Sequence, residues 1–304
     1  MTGEGEGRFT AEVMTAAMRQ IAADLTVCTD DAELLRLTNN AVFALPGAGI
    51  VIRITRSTTF VDRVQKVARL AQWFAQAQAP TVRLLASVDQ PVAANGFLAT
   101  VWHYVTPTPP APTYEELGHV LRRFHELGVP PFVLPAWDPV GDARRRLADA
   151  EALADNDRAF LEHWCDQLAP RVADLNQRTK PGLVHADAHA GNLVRGQDHK
   201  VVLCDFDATC LGPWQVDLAS VAAGEVRFGR SGAHRALATA YGYDVTTDPD
   251  WPLLRQAREL KLVTAAVPLL ASAPGIAREF TVRLDTIATD NHEARWTPFA
   301  RLGG

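Results

Sequence analysis

Asn192 and Asp205 bracket the polar turn GQDHK, which is flanked by two apolar β-type runs, NLVR (192–195) and KVVLC (200–204). Read as an antiparallel hairpin centred between Asp198 and His199, these runs place Asn192 opposite Asp205. Directly opposed residues share a face and stand about 5 Å apart. An amide oxygen and a carboxylate then converge on one point. Hard oxygens of this kind suit Mg²⁺, which takes few protein ligands and completes its shell with phosphate and water. Asp187 lies five residues before Asn192, in the loop that enters the hairpin. A carboxylate there can accept a hydroxyl proton beside a metal-bound phosphate.

The whole segment from His185 to Asp217 carries a wider pattern. H185-A-D187-A-H-A-G-N192, followed by D205-F-D207, resembles the catalytic signature of the aminoglycoside phosphotransferase/choline kinase family, relatives of the protein kinases. The resemblance continues in the order of Arg53 in IVIRI, the helix after it, the VWHYV run, a Pro-rich stretch and GPWQVDLA, covering most of residues 30–220. It implies that Asp187 is the catalytic base and that Asn192 and Asp205 hold Mg²⁺. It implies that Arg53 contacts the nucleotide phosphates, and that the backbone near Tyr104 and Val105 meets the base of ATP or GTP. His185 and Asp217 would brace the loop.

The sequence also departs from the family pattern. Ala186 stands where the family usually has Gly. The loop between the first two strands, LTNNA, has no glycine, so Thr38, Asn39 or Asn40 would supply its phosphate contacts. The helix over 60–77 has no Glu to pair with Arg53, and its one acid, Asp62, lies near the first turn.

Other readings compete for some of these residues. His185, Asp187 and His189 alternate along an extended run and could form a zinc site, although the cysteines lack paired spacing. Asp207 could reach a second metal or cap the following loop, with capping the favoured reading. His125 ends a helical stripe and reads as a packed or capping residue. Trp102, Trp137, Trp164 and Trp214 read as core or domain-interface aromatics, and Arg144 to Arg146 as a solvated helix face.

The elements that must position these groups follow from periodicity. Val13, Ala17, Ile21 and Leu25 form a helical stripe. In ELLRLTNNAVFALPGAGIVIRI three short β-type runs follow, the last two joined by the turn PGAG into a hairpin. Ser57, Thr58 and Thr59 are N-cap candidates for a helix over 60–77 with the stripe Val64, Val67, Leu70, Ala71 and Phe74. TPTPPAPT (106–113) reads as a linker. Beyond it Tyr114, Leu117, Val120, Leu121 and Phe124 form one helical stripe, and Phe160, Leu161, Trp164 and Leu168 another. The expectation is an α+β, bilobal protein-kinase-like fold. Residues 1–105 would form a lobe with a small antiparallel sheet and one main helix, and 106–304 a mainly helical lobe carrying the catalytic loop and acceptor site.

Bulk composition bounds the function. With 304 residues, 47% of them hydrophobic, the chain can bury a full core. A net charge of −5 argues against a nucleic-acid surface. Four cysteines without paired spacing, an N-terminus with no signal-like apolar core and the absence of a long apolar run point to a cytoplasmic protein that does not enter membranes. The function expected is ATP- or GTP-dependent phosphoryl transfer to a hydroxyl of a small molecule. Alternatives are a kinase of peptide Ser/Thr hydroxyls and a non-catalytic nucleotide-binding scaffold. From Ser220 to Gly304 nine acids face ten bases, so this region offers no acidic excess for a polycationic aminoglycoside.

Overall fold

The computed structural model describes residues 9–37, 40–56 and 61–302. Helix α1 (Ala11–Asp24) starts where Thr10 caps it, its hydroxyl accepting from the Val13 N–H. Three strands follow, β1 (Glu33–Leu37), β2 (Asn40–Leu45) and β3 (Ile50–Thr55), then α2 (Val61–Gln76), β4 (Val92–Ala94) and β5 (Phe97–His103). The five strands form one antiparallel sheet in the order β1-β2-β3-β5-β4. PGAG closes the β2–β3 hairpin because Gly49 takes the left-handed conformation, φ +68°. The alternate residues Ile50, Ile52 and Ile54 are buried with Met14, Met18 and Ile21 of α1, so one face of the sheet is covered by that helix. The α2 stripe is buried at all five expected positions. The N-cap candidates Ser57 to Thr59 lie outside the described residues, as does Thr38.

Two compact units divide the chain: residues 1–112 with 191–207, and 113–190 with 208–304. The second begins with α3 (Tyr114–His125), started by a capping box in which Thr113 and Glu116 satisfy each other's backbone N–H groups. Helices α4 (Pro139–Ala148) and α5 (Asp155–Arg178) and strand β6 (Gly182–Val184) lead to the loop that carries His185 and Asp187. The chain then enters the first unit through the hairpin β7 (Leu193–Arg195) and β8 (Val201–Leu203). It returns through β9 (Cys210–Gly212), which pairs with β6, and continues in α6 (Gln215–Phe228), α7 (Ala233–Tyr241), α8 (Trp251–Thr264) and α9 (Pro274–Ala288).

A boundary at 105/106 would have assigned the β7–β8 hairpin to the second domain. Backbone pairing puts it with the first instead. The Val82 N–H donates to the Leu203 carbonyl at 2.9 Å, the Leu203 N–H to the Pro80 carbonyl at 2.8 Å, and the Thr108 N–H to the Arg195 carbonyl at 3.0 Å. The Pro-rich stretch is thus tied to the hairpin rather than hanging as a free linker. Among the described residues, no helix is long and apolar enough to cross a membrane.

Candidate active site

In the second unit, the loop after β6 is organised by one carboxylate. Asp217, in the first turn of α6, is fully buried. It accepts from the His185 N–H at 2.8 Å and the Ala186 N–H at 2.7 Å, and meets His125 Nε2 at 2.9 Å. Burial opposes its charge, but the bonds from His125 and the loop outweigh that and hold its pKa below the usual value. His125 Nδ1 meets the Tyr241 hydroxyl at 2.9 Å, so α3 and α7 together fix the histidine. The two helices come close because Gly118 has no side chain; a Cβ there would lie 2.8 Å from the Leu237 carbonyl oxygen. His185 is fully buried, and its Nδ1 accepts from the Asp187 N–H at 3.3 Å. His185, His125 and Asp217 thus form a brace under Asp187.

Ala186 has φ +61°, the left-handed region that costs an L-residue about 1–2 kcal/mol. The two N–H bonds to Asp217 hold it there. Glycine would enter this conformation without that penalty while losing more chain entropy on folding. Ala186→Gly is therefore expected to be neutral or to stabilise by up to about 1 kcal/mol. Denaturant unfolding that showed a clear loss of stability would mean that the methyl group has a packing role outweighing the strain.

Two cations grip Asp187. Arg258 Nη1 donates to its Oδ1 at 2.7 Å, and Lys261 Nζ stands 3.2 Å from the same oxygen while donating to the Ala186 carbonyl at 2.8 Å. These residues sit three apart on α8, on one face of the helix. Burial alone would raise the pKa of Asp187; Lys261 and Arg258 overcome it and hold the carboxyl well below its ordinary range. A third of the Asp187 side chain remains exposed (33%), so solvent screens part of this attraction. His189 is pushed down to about 4, chiefly by burial, and is neutral at pH 7. Among the described residues, no three His, Cys, Asp or Glu side chains gather as a metal site.

The first unit holds a second cluster. Arg53 on β3 makes an ion pair with Asp207 and lies 3.7 Å from Asp205. Asp207 also accepts from Asn40 Nδ2 at 3.3 Å, and Lys66 Nζ of α2 donates to the Asp207 carbonyl oxygen at 2.7 Å. The partner of Arg53 is thus an aspartate of the signature itself, and α2 contributes a lysine instead of an acid. Asp207 acts as that partner rather than as the expected cap of the following loop. Burial opposes ionisation of Asp207, and Arg53 reverses the balance, lowering its pKa. The Tyr104 N–H donates to the Gly49 carbonyl at 2.8 Å, which commits one of the backbone groups expected at the nucleotide base.

The hairpin register differs from the symmetric one expected. Leu193 pairs with Leu203 and Arg195 with Val201, which sets Asn192 against Cys204, whose N–H donates to the Asn192 carbonyl at 2.9 Å. The cause is a three-residue loop, Gln197 to His199, closed by the Gly196 N–H bond to Lys200 at 2.9 Å and ending on His199 at φ +60°. Asp205 therefore lies one residue beyond the position opposite Asn192, with φ +67°. A regular ladder would send a side chain one residue beyond to the other face, and Asp205 leaves the ladder in the left-handed conformation. Asn192 is buried at the end of a 3₁₀ turn. Among the described residues, the ion pairs of Asp205 are long, to Arg36 at 3.5 Å and to Arg53 at 3.7 Å. The donor set of one amide oxygen and one carboxylate fits a hard divalent cation.

Residue-type reasoning missed Arg258, Lys261 and Lys66. A signal was present: the chain uses arginine for 26 of its 30 basic positions, and two of the remaining lysines stand in these clusters.

The model of the phosphotransferase enzyme family matches residues 34–259, which span the site residues above except Lys261. The chain belongs to this family. Compared by sequence with curated proteins, this phosphotransferase-family chain matches none. Among solved structures it is similar to an amicoumacin kinase in complex with AMP-PNP, Ca²⁺ and Ami, at 16% identity and a TM-score of 0.68, over 96% of this chain and 99% of that one. It is similar to a microcompartment-associated aminopropanol kinase at 18% identity and 0.65, over 91% and 98%. It also resembles an aminoglycoside phosphotransferase from Streptomyces rimosus, at 19% identity and 0.62, over 82% and 98%. The fold is the α+β protein-kinase-like one.

Proposed function

We propose that the protein transfers the γ-phosphate of ATP or GTP to a hydroxyl of a small molecule that is not a polycationic aminoglycoside. The observation that carries this reading is Asp187 on its braced loop, kept ionised at neutral pH by Arg258 and Lys261. An ionised carboxylate orients the acceptor hydroxyl and takes its proton as the oxygen attacks. In the loose transition state of phosphoryl transfer the proton leaves late, so a weakly basic carboxylate suffices. Asn192 and Asp205 would hold Mg²⁺, which neutralises charge on the transferred phosphate when bound. Arg53, held by Asp207, would contact the nucleotide phosphates, together with Thr38 and Asn40. The base would meet the carbonyl of Tyr104 and the backbone of Val105. The non-catalytic alternative rests on the lack of a helix acid for Arg53, and Asp207 supplies that partner.

A coupled assay of ADP or GDP release, run with kanamycin- and neomycin-type compounds and with neutral and acidic hydroxyl compounds, tests the reading. Aminoglycosides are expected to be poor acceptors. A kcat/KM above about 10⁴ M⁻¹s⁻¹ for them would overturn the acceptor assignment, and no transfer to any hydroxyl compound would overturn the transferase reading.

A further inference from the structure

The charge around Asp187 is unbalanced in a way that proton transfer does not require. Orienting a hydroxyl takes one carboxylate, yet Arg258 and Lys261 both close on it from α8. Arg258 is nine-tenths buried, its side chain 10% exposed, and Lys261 is 21% exposed. The strongest charge effects on Lys261 come from Asp187, Arg258 and Arg146 of α4, one carboxylate against two guanidinium groups, and Arg146 Nη1 donates to the Lys261 carbonyl at 3.4 Å. His189, beside the same carboxylate, contributes no positive charge at pH 7. The acid next along α8, Glu259, is committed to Arg227 at 2.7 Å and stands 3.7 Å from Arg255. Asp217 is committed to the loop and His125. Within this unit the surroundings of Asp187 therefore carry a surplus of positive charge.

A second observation points the same way. Arg258 spends Nη1 on Asp187, and its Nε is buried with no hydrogen-bond partner among the described residues. A guanidinium donor left unmated out of water costs free energy unless an acceptor reaches it. Carboxylates match the planar donor fork of arginine, and such charge-assisted bonds are the strong ones.

We infer that the acceptor is a small hydroxy acid, whose carboxylate is held by Arg258 and Lys261 while Asp187 receives its hydroxyl. This rests on the phosphotransferase reading and adds to it the charge of the substrate. An acceptor bearing an ammonium group would meet two fixed cations within reach of its hydroxyl, and a neutral one would leave their surplus unmatched.

Three probes of equal length isolate the charge: 3-hydroxypropionate, 1,3-propanediol and 3-aminopropan-1-ol, titrated into the full chain at matched ionic strength with the unfolding midpoint as readout. Only the hydroxy acid is expected to raise the midpoint. Lys261→Met is expected to weaken that effect about tenfold in apparent Kd, the worth of one hydrogen bond to a charged group, and Lys261→Arg to retain most of it. The arginine variant shows whether loss in Lys261→Met comes from charge or from misfolding. Equal shifts from all three probes, no shift from the acid, or an undiminished shift in Lys261→Met would each overturn the inference. These are binding readouts, so their failure is distinct from failure of the nucleotide-release assay, which tests transfer itself.

Discussion

Asp187→Asn is expected to bind nucleotide as the parent does and to turn over about 10²–10⁴-fold more slowly, the usual worth of a positioned general base. Asparagine keeps the size and planar shape of the side chain, and its Oδ1 can still accept from Arg258. It cannot take a proton, and it leaves Arg258 and Lys261 without their anion. The loop itself should survive, since its backbone is held by Asp217 and not by Asp187. The same contacts fix the pH behaviour. The folded carboxyl is depressed below its ordinary value, so it stays ionised as pH falls through the normal carboxylate range. The acid limb of kcat/KM attributable to Asp187 is therefore expected below that range. Calorimetry with nucleotide and steady-state turnover together check the variant. Near-parental turnover would place the base elsewhere.

The second large effect concerns Asp205. Asp205→Ala is expected to abolish Mg²⁺-dependent nucleotide binding while the protein stays folded. The carboxylate is the one full negative charge in the proposed ligand pair, and Asn192 alone offers only an amide oxygen. Little stability should be lost, because the ion pairs of Asp205 are long and partly exposed, and such pairs contribute about 0–1 kcal/mol. Arg53 keeps its contact with Asp207 in the variant. Titration of the nucleotide with and without Mg²⁺, alongside circular dichroism, separates the two effects. An unchanged affinity for the Mg²⁺-nucleotide complex would remove Asp205 from the metal site.

Much of the frame was legible because it rests on local rules. The α2 stripe, the PGAG hairpin and the α3 stripe of Leu117, Val120, Leu121 and Phe124 each follow from spacing or turn chemistry within a few residues. The family was legible from the signature between His185 and Asp207, and the contact of Asp217 with the loop at His185 and Ala186 lies where the resemblance implied a supporting residue. What failed was decided by fine geometry or by distance along the chain. The β7–β8 register turned on whether the loop held an even or odd number of residues, and residue types alone do not determine that. Arg53 and Asp207 are 154 residues apart, and Arg258 and Asp187 are 71 apart. Pairings over such spans are set by tertiary structure, where no periodicity points to them. Counted with the other C-terminal bases, Arg258 and Lys261 contributed only to a charge balance.

The passage of the chain out of the second unit after Ala190 and back after Asp207 has a consequence for dissecting the gene. A truncated chain ending at Pro112 would contain the five-stranded sheet and both of its helices, yet it would not contain the whole unit. The Val82 N–H and the Pro80 carbonyl would lose Leu203, and the Pro-rich stretch would lose Arg195. Arg53 would keep its place on β3 with neither of its aspartates. The complementary fragment, Thr113 onward, would carry the residues 191–207 of a unit whose remainder it lacks. Neither half is a self-sufficient segment, so a stop codon or an inserted domain at the Pro-rich stretch would divide a unit that the polypeptide re-enters at Gly191 and completes only at Asp207.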